Sequence, residues 1–178
     1  MGSEKILPKR KHLRLKGFDY SQTGVYFLTI CTQNRKNVLS TIVGEGFPLP
    51  KLSPYGEIVD EWIQKIPEKY PEAFVDCYVI MPNHIHILLS IVKDDVKGDR
   101  SDAGGRGNPS PTADTIVGWL KYHITKEINQ SRGLARDKIF QRSFFDHIVR
   151  NRDDYNEIYK YIYENPMRWY YDKLYSEE

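Results

Sequence analysis

Between Phe74 and Val92 two β-rich runs, FVDCYVIM and HIHILLSIV, are separated only by Pro82 and Asn83. So short a break between two extended runs calls for an antiparallel hairpin. The hairpin constrains everything around it, because residues two apart on a strand project from the same face. Ile85, Ile87 and Leu89 then form one face, suited to packing under helices. His84 and His86 share the opposite face, side by side.

The rest of the chain supplies partners for that hairpin. Gly24 to Asn34 (GVYFLTICTQN) is rich in β-branched and aromatic residues and reads as a first strand. The prolines of FPLPKLSPY (47–55) suit a loop or an edge ribbon rather than a central strand. From Gly56, Ile58, Val59, Trp62, Ile63 and Ile66 recur at helical spacing until Pro67 and Pro71. Residues 93–113 are charged and then Gly/Pro-rich, without apolar period, which predicts a long, mobile loop. Asp114 or Thr115 is expected to cap a second helix with Ile116, Val117, Leu120, Ile124 and Ile128 on one face, ending near Gly133. Ile139 to Val149 (IFQRSFFDHIV) returns to strand character. Asn151 and Asp153 offer caps for a last helix that reaches Asn165, just before Pro166.

Strand, helix, strand, strand, helix, strand, helix is the order of an α+β chain with the ferredoxin-like or RRM-like split βαβ arrangement. The expected product is an antiparallel sheet with two helices on one face and a C-terminal helix besides. At 178 residues one domain is expected, with residues 1–20 as a basic arm.

Charge distribution says more than the total. The net charge is only +2, but Lys5, Lys9, Arg10, Lys11, Arg14 and Lys16 face Glu4 alone in the first sixteen residues. A second basic group, Arg132, Arg136, Lys138, Arg142, Arg150 and Arg152, precedes or opens the last helix. Such clusters suit phosphate backbones, and Phe144 and Phe145 could stack unpaired bases. Cys31 and Cys77 lie far apart in apolar runs and read as buried, reduced thiols. No apolar stretch is long enough for a membrane span, and the basic N-terminus lacks the hydrophobic core of a secretory signal, so no membrane partner and a cytoplasmic location are expected.

Two imidazoles on one strand face can chelate a divalent ion, although a bare H-x-H pair is more often ordinary strand polarity. The last helix offers a third ligand. At ~100° per residue Tyr155, Ile158, Tyr159 and Ile162 form an apolar stripe, while Asp154, Tyr161 and Asn165 line up within roughly 40° of one another. If that stripe docks on the histidine face, Asn165 brings an amide oxygen to the ion and Tyr161 brings a phenol one turn away.

MPNHIHILL, RSFFDHIVRN and the helix ending YIYENP, together with the N-terminal RLKGFDYSQTGVYFLTICTQNR, resemble the blocks of the REP-associated tyrosine transposases, a branch of the single-tyrosine HUH transposases. The resemblance implies that His84, His86 and Asn165 bind Mg²⁺ or Mn²⁺ and that Tyr161 is the nucleophile; insertion-sequence relatives often carry glutamine where Asn165 stands. It implies cleavage and rejoining of single-stranded DNA beside a palindromic hairpin, through a 5′-phosphotyrosine, for DNA transposition. Lys9, Arg10, Lys11, Arg14, Lys16, Arg142, Arg150 and Arg152 are the residues expected to meet DNA. Insertion-sequence relatives are dimers, whereas the REP-associated branch favours a monomer. His147 falls within one of these blocks and Arg106 within the glycine-rich loop; the plainer roles for them are structural and solvated. The rival readings are an RRM-like single-strand binding module without catalysis and a histidine-metal phosphodiesterase that uses water.

Overall fold

The computed structural model describes residues 24–44, 46, 48–92, 111–133 and 136–177. The lysines and arginines of the basic arm and Arg106 lie outside the described residues, as do residues 93–110 of the expected loop.

Among the described residues six strands and four helices appear in the order β1 (Gly24–Cys31), β2 (Ser40–Val43), β3 (Leu49–Leu52), α1 (Pro54–Gln64), α2 (Ile66–Lys69), β4 (Ala73–Ile80), β5 (His84–Ile91), α3 (Ala113–Ser131), β6 (Phe145–Val149) and α4 (Arg152–Glu164). Four strands form one sheet in the order β4-β5-β1-β6, and every neighbouring pair is antiparallel. This is the expected split βαβ topology, with β2 and β3 added as a separate two-stranded ribbon.

Alternation along the central strands divides the protein into two layers. Tyr26, Leu28 and Ile30 of β1 and Ile85, Ile87, Leu89 and Ile91 of β5 are buried against Val59 and Ile63 of α1 and Ile116, Leu120, Ile124 and Ile128 of α3. Each such aliphatic side chain contributes about 1.5–3 kcal/mol by leaving water. The opposite face carries a second, smaller core. There Val79, Met81 and Leu88 pack against Ile162 of α4 and Trp169 of a following 3-10 helix, Asn165–Tyr171.

Local chemistry shifts several boundaries from the expected ones. α1 begins two residues before Gly56, because the Ser53 hydroxyl accepts from the Gly56 N–H at 3.2 Å and Pro54 occupies the first turn. α3 is capped by Thr112, whose hydroxyl accepts from Thr115 N–H, rather than by Asp114 or Thr115. β1 stops at Cys31 because Asn34 and Arg35 adopt left-handed backbone conformations with φ of 57° and 55°. The strand expected over 139–149 is reduced to Phe145–Val149, with Phe140 making an isolated bridge to Thr32. Gln141 N–H still donates to the Cys31 carbonyl at 3.0 Å, but the Lys121 ammonium takes the carbonyls of Gln141 and Ser143, at 2.9 and 3.0 Å, where the ladder lapses.

On α4 the expected apolar stripe is only partly buried. Ile162 is enclosed and Tyr155 and Ile158 are half-buried, but Tyr159 is exposed and stacks on Tyr155. Cys31 and Cys77 are free and half-buried. No helix among the described residues is long and apolar enough to cross a membrane.

One tight approach ties α1 to the ribbon. A methyl group at Gly56 would overlap the backbone carbonyl of Leu39, which itself accepts from Ser53 N–H. Gly56→Ala is therefore expected to destabilise the protein by about 1–3 kcal/mol. Urea titration of the two proteins measures it, and an unchanged midpoint would refute the close approach.

Candidate active site

β5 presents His84 and His86 on the second face, with ring centroids 4.5 Å apart. Register sets their neighbours, since Thr29 stands opposite His86 and Cys31 opposite His84. Both rings are anchored through Nδ1. His86 Nδ1 lies 2.9 Å from Thr29 Oγ1, and His84 Nδ1 lies 2.8 Å from Asn83 Oδ1. The last helix covers this face, as the docking of its stripe requires, and with the segment after it leaves the histidines 0% and 2% exposed.

α4 docks with Tyr161 and Asn165 toward the histidines. The Tyr161 ring stands edge-on to Phe27, and its hydroxyl is 3.5 Å from His86 Nε2. Asn165 is buried and donates from Nδ2 to Asp172 Oδ2 at 2.8 Å. A carboxylate can only accept, so this bond fixes the amide and turns Asn165 Oδ1 the other way. Asn165 Oδ1 and His84 Nε2 are both buried without a hydrogen-bond partner.

Unpartnered buried acceptors are costly, of the order of 1–3 kcal/mol each, and two in one place mark a site built for something that supplies positive charge. Asp172 strengthens the case. Its carboxylate and one nitrogen each of His84 and His86 lie within 4.8 Å of one another. Imidazole nitrogens with amide and carboxylate oxygens suit a divalent ion, and ligand softness allows Mg²⁺, Mn²⁺ or Zn²⁺.

Burial holds both imidazoles in the neutral, ligating form. It pushes His84 down to about 4, against the opposing pull of the Asp172 carboxylate. His86 is held well below its ordinary value by burial and by the neighbouring His84. The Tyr161 phenol moves the other way, raised to about 12 by burial and by the charge and hydrogen bond of Asp172. At pH 7 roughly one phenol in 10⁵ is then ionised.

The phenol opens into a cavity of about 880 Å³ lined also by Phe27, Thr29, Phe144, Phe145, Arg168 and Lys173. Phe145 is half exposed. Of the arginines expected to meet DNA, Arg142 is exposed one residue from Gln141 in the cavity wall. Arg150 and Arg152 are exposed too, but beyond the far end of β6, where Val149 pairs with Val25, whereas Phe145 pairs with Thr29 at the cavity. Asp154 shares the helical stripe of Tyr161 and Asn165 but bonds His147 Nε2 at 3.0 Å and the Arg150 N–H, which keeps its carboxyl below the usual range. That pair fixes the β6–α4 junction, a structural role for His147. Tyr163 is 67% exposed and lines a different depression, beside Pro166.

Sequence reasoning missed Asp172, Arg168 and Lys173. They follow Pro166, where no strand or helix period marks a face. The best available signal was the acid within the aromatic-basic run RWYYDK.

No family model matches the chain. An uncharacterized protein of Haemophilus influenzae is 32% identical over 175 residues, covering 94% of both chains. The REP-associated tyrosine transposase of Escherichia coli is 24% identical, covering 84% of this chain and 70% of its own. Through its named relatives the chain is similar to the REP-associated tyrosine transposases. This is a family of DNA-cleaving enzymes. A solved REP-associated tyrosine transposase bound to a REP hairpin superposes with a TM-score of 0.51 at 21% identity, over 83% of this chain and 68% of that one, and shares its fold. The histidine hairpin of this chain thus sits in an antiparallel α+β sheet common to both.

The buried histidines give a signature in stability. Their pKa values are depressed in the folded protein, so the unfolded chain binds protons first, below about 6.5, while native His84 resists until about 4 and native His86 is held well below its ordinary value. In metal-free buffer their contribution should be full above pH 7 and fall between about pH 6.5 and 4, by up to about 1.4 kcal/mol per pH unit for each histidine. Urea titrations across that range should show a shallower slope for His84→Ala/His86→Ala, and equal slopes would contradict neutral burial.

Proposed function

We propose that this chain cleaves and rejoins single-stranded DNA beside a hairpin, with Tyr161 as nucleophile. The observation that carries this reading is the Tyr161 hydroxyl 3.5 Å from His86 Nε2, beside two buried ligand atoms, His84 Nε2 and Asn165 Oδ1, that have no partner.

The phenol oxygen attacks phosphorus and the bond to the 3′-oxygen breaks, which leaves a 5′-phosphotyrosine and a free 3′-hydroxyl. The phenol proton passes to the Asp172 carboxylate, 3.4 Å away, and Asp172 passes it on, directly or through water, to the departing 3′-oxygen. Rejoining is the reverse, with no external energy source. His84, His86 and Asn165 would hold the divalent ion, Mg²⁺ or Mn²⁺. Bound there, it would supply charge stabilisation at the scissile phosphate, which a phenol with a raised pKa needs.

Arg168 and Lys173 at the cavity, with Arg142, Arg150, Arg152, Lys9, Arg10, Lys11, Arg14 and Lys16, would meet phosphates, and Phe145 would stack on an unpaired base. A second groove of about 1020 Å³ along α3, lined by Lys126, Arg136, Lys138 and Arg142, shares Gln141 with the cavity and offers a path for the hairpin stem. The E. coli relative and the hairpin-bound structure support this substrate.

Incubating the protein with Mn²⁺ and hairpin-bearing single strands should give a covalent adduct on denaturing gels. Tyr161→Phe should bind DNA with wild-type affinity and form none, whereas Tyr163→Phe should remain active. Peptide mapping of the adduct decides it: a tyrosine other than Tyr161 overturns the assignment. Binding without adduct favours the RRM-like module, and cleavage without adduct a water-using phosphodiesterase.

Affinity should fall steeply with salt and favour single strands or hairpin junctions over plain duplex. Replacing Arg142, Arg150 and Arg152 with alanine should reduce the slope of log K against log salt by about 2, at ~0.7 for each phosphate that is no longer neutralised. An unchanged slope would remove these arginines from the DNA path.

A further inference from the structure

Asn83 lies between the hairpin turn and the first histidine, fully buried, and its side chain is engaged at both ends. Its Nδ2 donates to the Leu174 carbonyl at 2.8 Å and stands 3.3 Å from the Arg35 carbonyl and 3.2 Å from Ser176 Oγ. Its Oδ1 faces His84 Nδ1 at 2.8 Å. Its backbone carbonyl accepts from both the N–H and the hydroxyl of Thr32, at 2.9 and 3.0 Å. The residue therefore has no freedom to rotate.

The directions of these bonds are forced in sequence. Backbone carbonyls can only accept, so the carbonyls of Leu174 and Arg35 require the NH₂ end of the Asn83 amide. The amide oxygen must then face His84, and because that oxygen can only accept, His84 Nδ1 must carry the proton. A neutral imidazole has one N–H, so His84 Nε2 keeps a bare lone pair. That is the atom found buried without a partner beside Asn165 Oδ1. The turn that aims the Arg35 carbonyl is itself unusual, since Asn34 and Arg35 are consecutive non-glycine residues with positive φ. Strained backbone persists where its surroundings over-determine it, and here it supplies an acceptor to Asn83 and to Ser176 Oγ, which donates to the same carbonyl at 3.0 Å.

We infer that Asn83 is a positioning residue for the metal site: two backbone carbonyls, one of them from the C-terminal segment that also carries Asp172, fix its amide, and the amide fixes His84 in the tautomer that can bind a divalent ion. The inference rests on the reading of His84 as a ligand. Partners that orient a ligating imidazole through its other nitrogen are worth about 10–100-fold in metal affinity.

The tautomer can be read without metal or activity. Two-bond ¹H–¹⁵N correlation spectra of the metal-free full chain should show His84 as a single species protonated at Nδ1. Asn83→Ala removes the acceptor and should give a mixture of tautomers, with Mn²⁺ affinity by isothermal titration down about tenfold or more. Asn83→Asp keeps an oxygen toward His84, so the tautomer should persist even as amide exchange in residues 174–177 accelerates. Asn37→Ala is the control, because it removes the bond from Asn37 Nδ2 to the Ser176 carbonyl without touching the Asn83–His84 pair. It should loosen the same segment and leave tautomer and affinity unchanged. An Nε2-protonated His84 in the wild type overturns the inference, as does an Asn83→Ala protein that keeps one Nδ1–H tautomer and full affinity. Should Asn83→Ala fail to fold, the wild-type and Asn83→Asp spectra still decide. A wild-type protein that has the expected tautomer but binds no Mn²⁺ would sink the metal reading and the positioning role derived from it, leaving only the tautomer assignment.

Discussion

Two imidazoles on a strand that is buried on both faces set the terms for the rest of the protein. The odd-numbered residues of β5 belong to the helix-covered core, so His84 and His86 cannot turn away from the other face without dismantling it. Once α4 and the segment after it cover that face, the rings lose water and every polar atom on them needs a partner. Two anchors are supplied through Nδ1, by Asn83 and Thr29. The Nε2 atoms are left toward Tyr161, Asn165 and Asp172, so site geometry follows from the register of one strand and the docking of one helix.

Hydrogen-bond polarity then refines the geometry. The Asp172 carboxylate takes the NH₂ end of Asn165 and leaves its oxygen inward; the Leu174 and Arg35 carbonyls take the NH₂ end of Asn83 and leave its oxygen for His84. In both cases an acceptor-only group on one side of an amide decides which atom faces the histidines. Both chains of bonds pass through residues 172–174, which follow the last regular helix. A segment without repetitive structure thus orients two of the three ligands proposed for the ion.

The sheet order and the pairing of the histidines were legible because they depend on period two and on short connections, which are local properties. The facing of Tyr161 and Asn165 was legible for the same reason, with period 3.6 in place of two. What escaped sequence reading was settled by single long-range interactions. Lys121 on α3 holds the carbonyls of Gln141 and Ser143 in the gap between the Phe140 bridge and Phe145–Val149, although the run as a whole reads as one strand. Asp172 reaches the histidines from beyond Pro166, where the chain has no period to place it. Tyr159 lies on the apolar stripe of α4 by spacing, yet the helix covers only part of the sheet and leaves it in solvent.

The environment of Tyr161 bears on the rate of the proposed reaction more than on its balance. In a reversible transfer between a phenol and a sugar hydroxyl, the better leaving group is the one whose oxygen holds charge more easily. In water that is the phenol, which would bias a phosphotyrosine toward rejoining and keep cleaved DNA scarce. Burial and the Asp172 carboxylate raise the phenol to about 12, nearer to an alcohol. That shift destabilises the phenolate alone and leaves the neutral phenol, the species present at pH 7, as the product of rejoining, so the bias toward rejoining stands. The same shift makes the phenol harder to ionise, so attack depends on Asp172 accepting the proton and on positive charge at the phosphate.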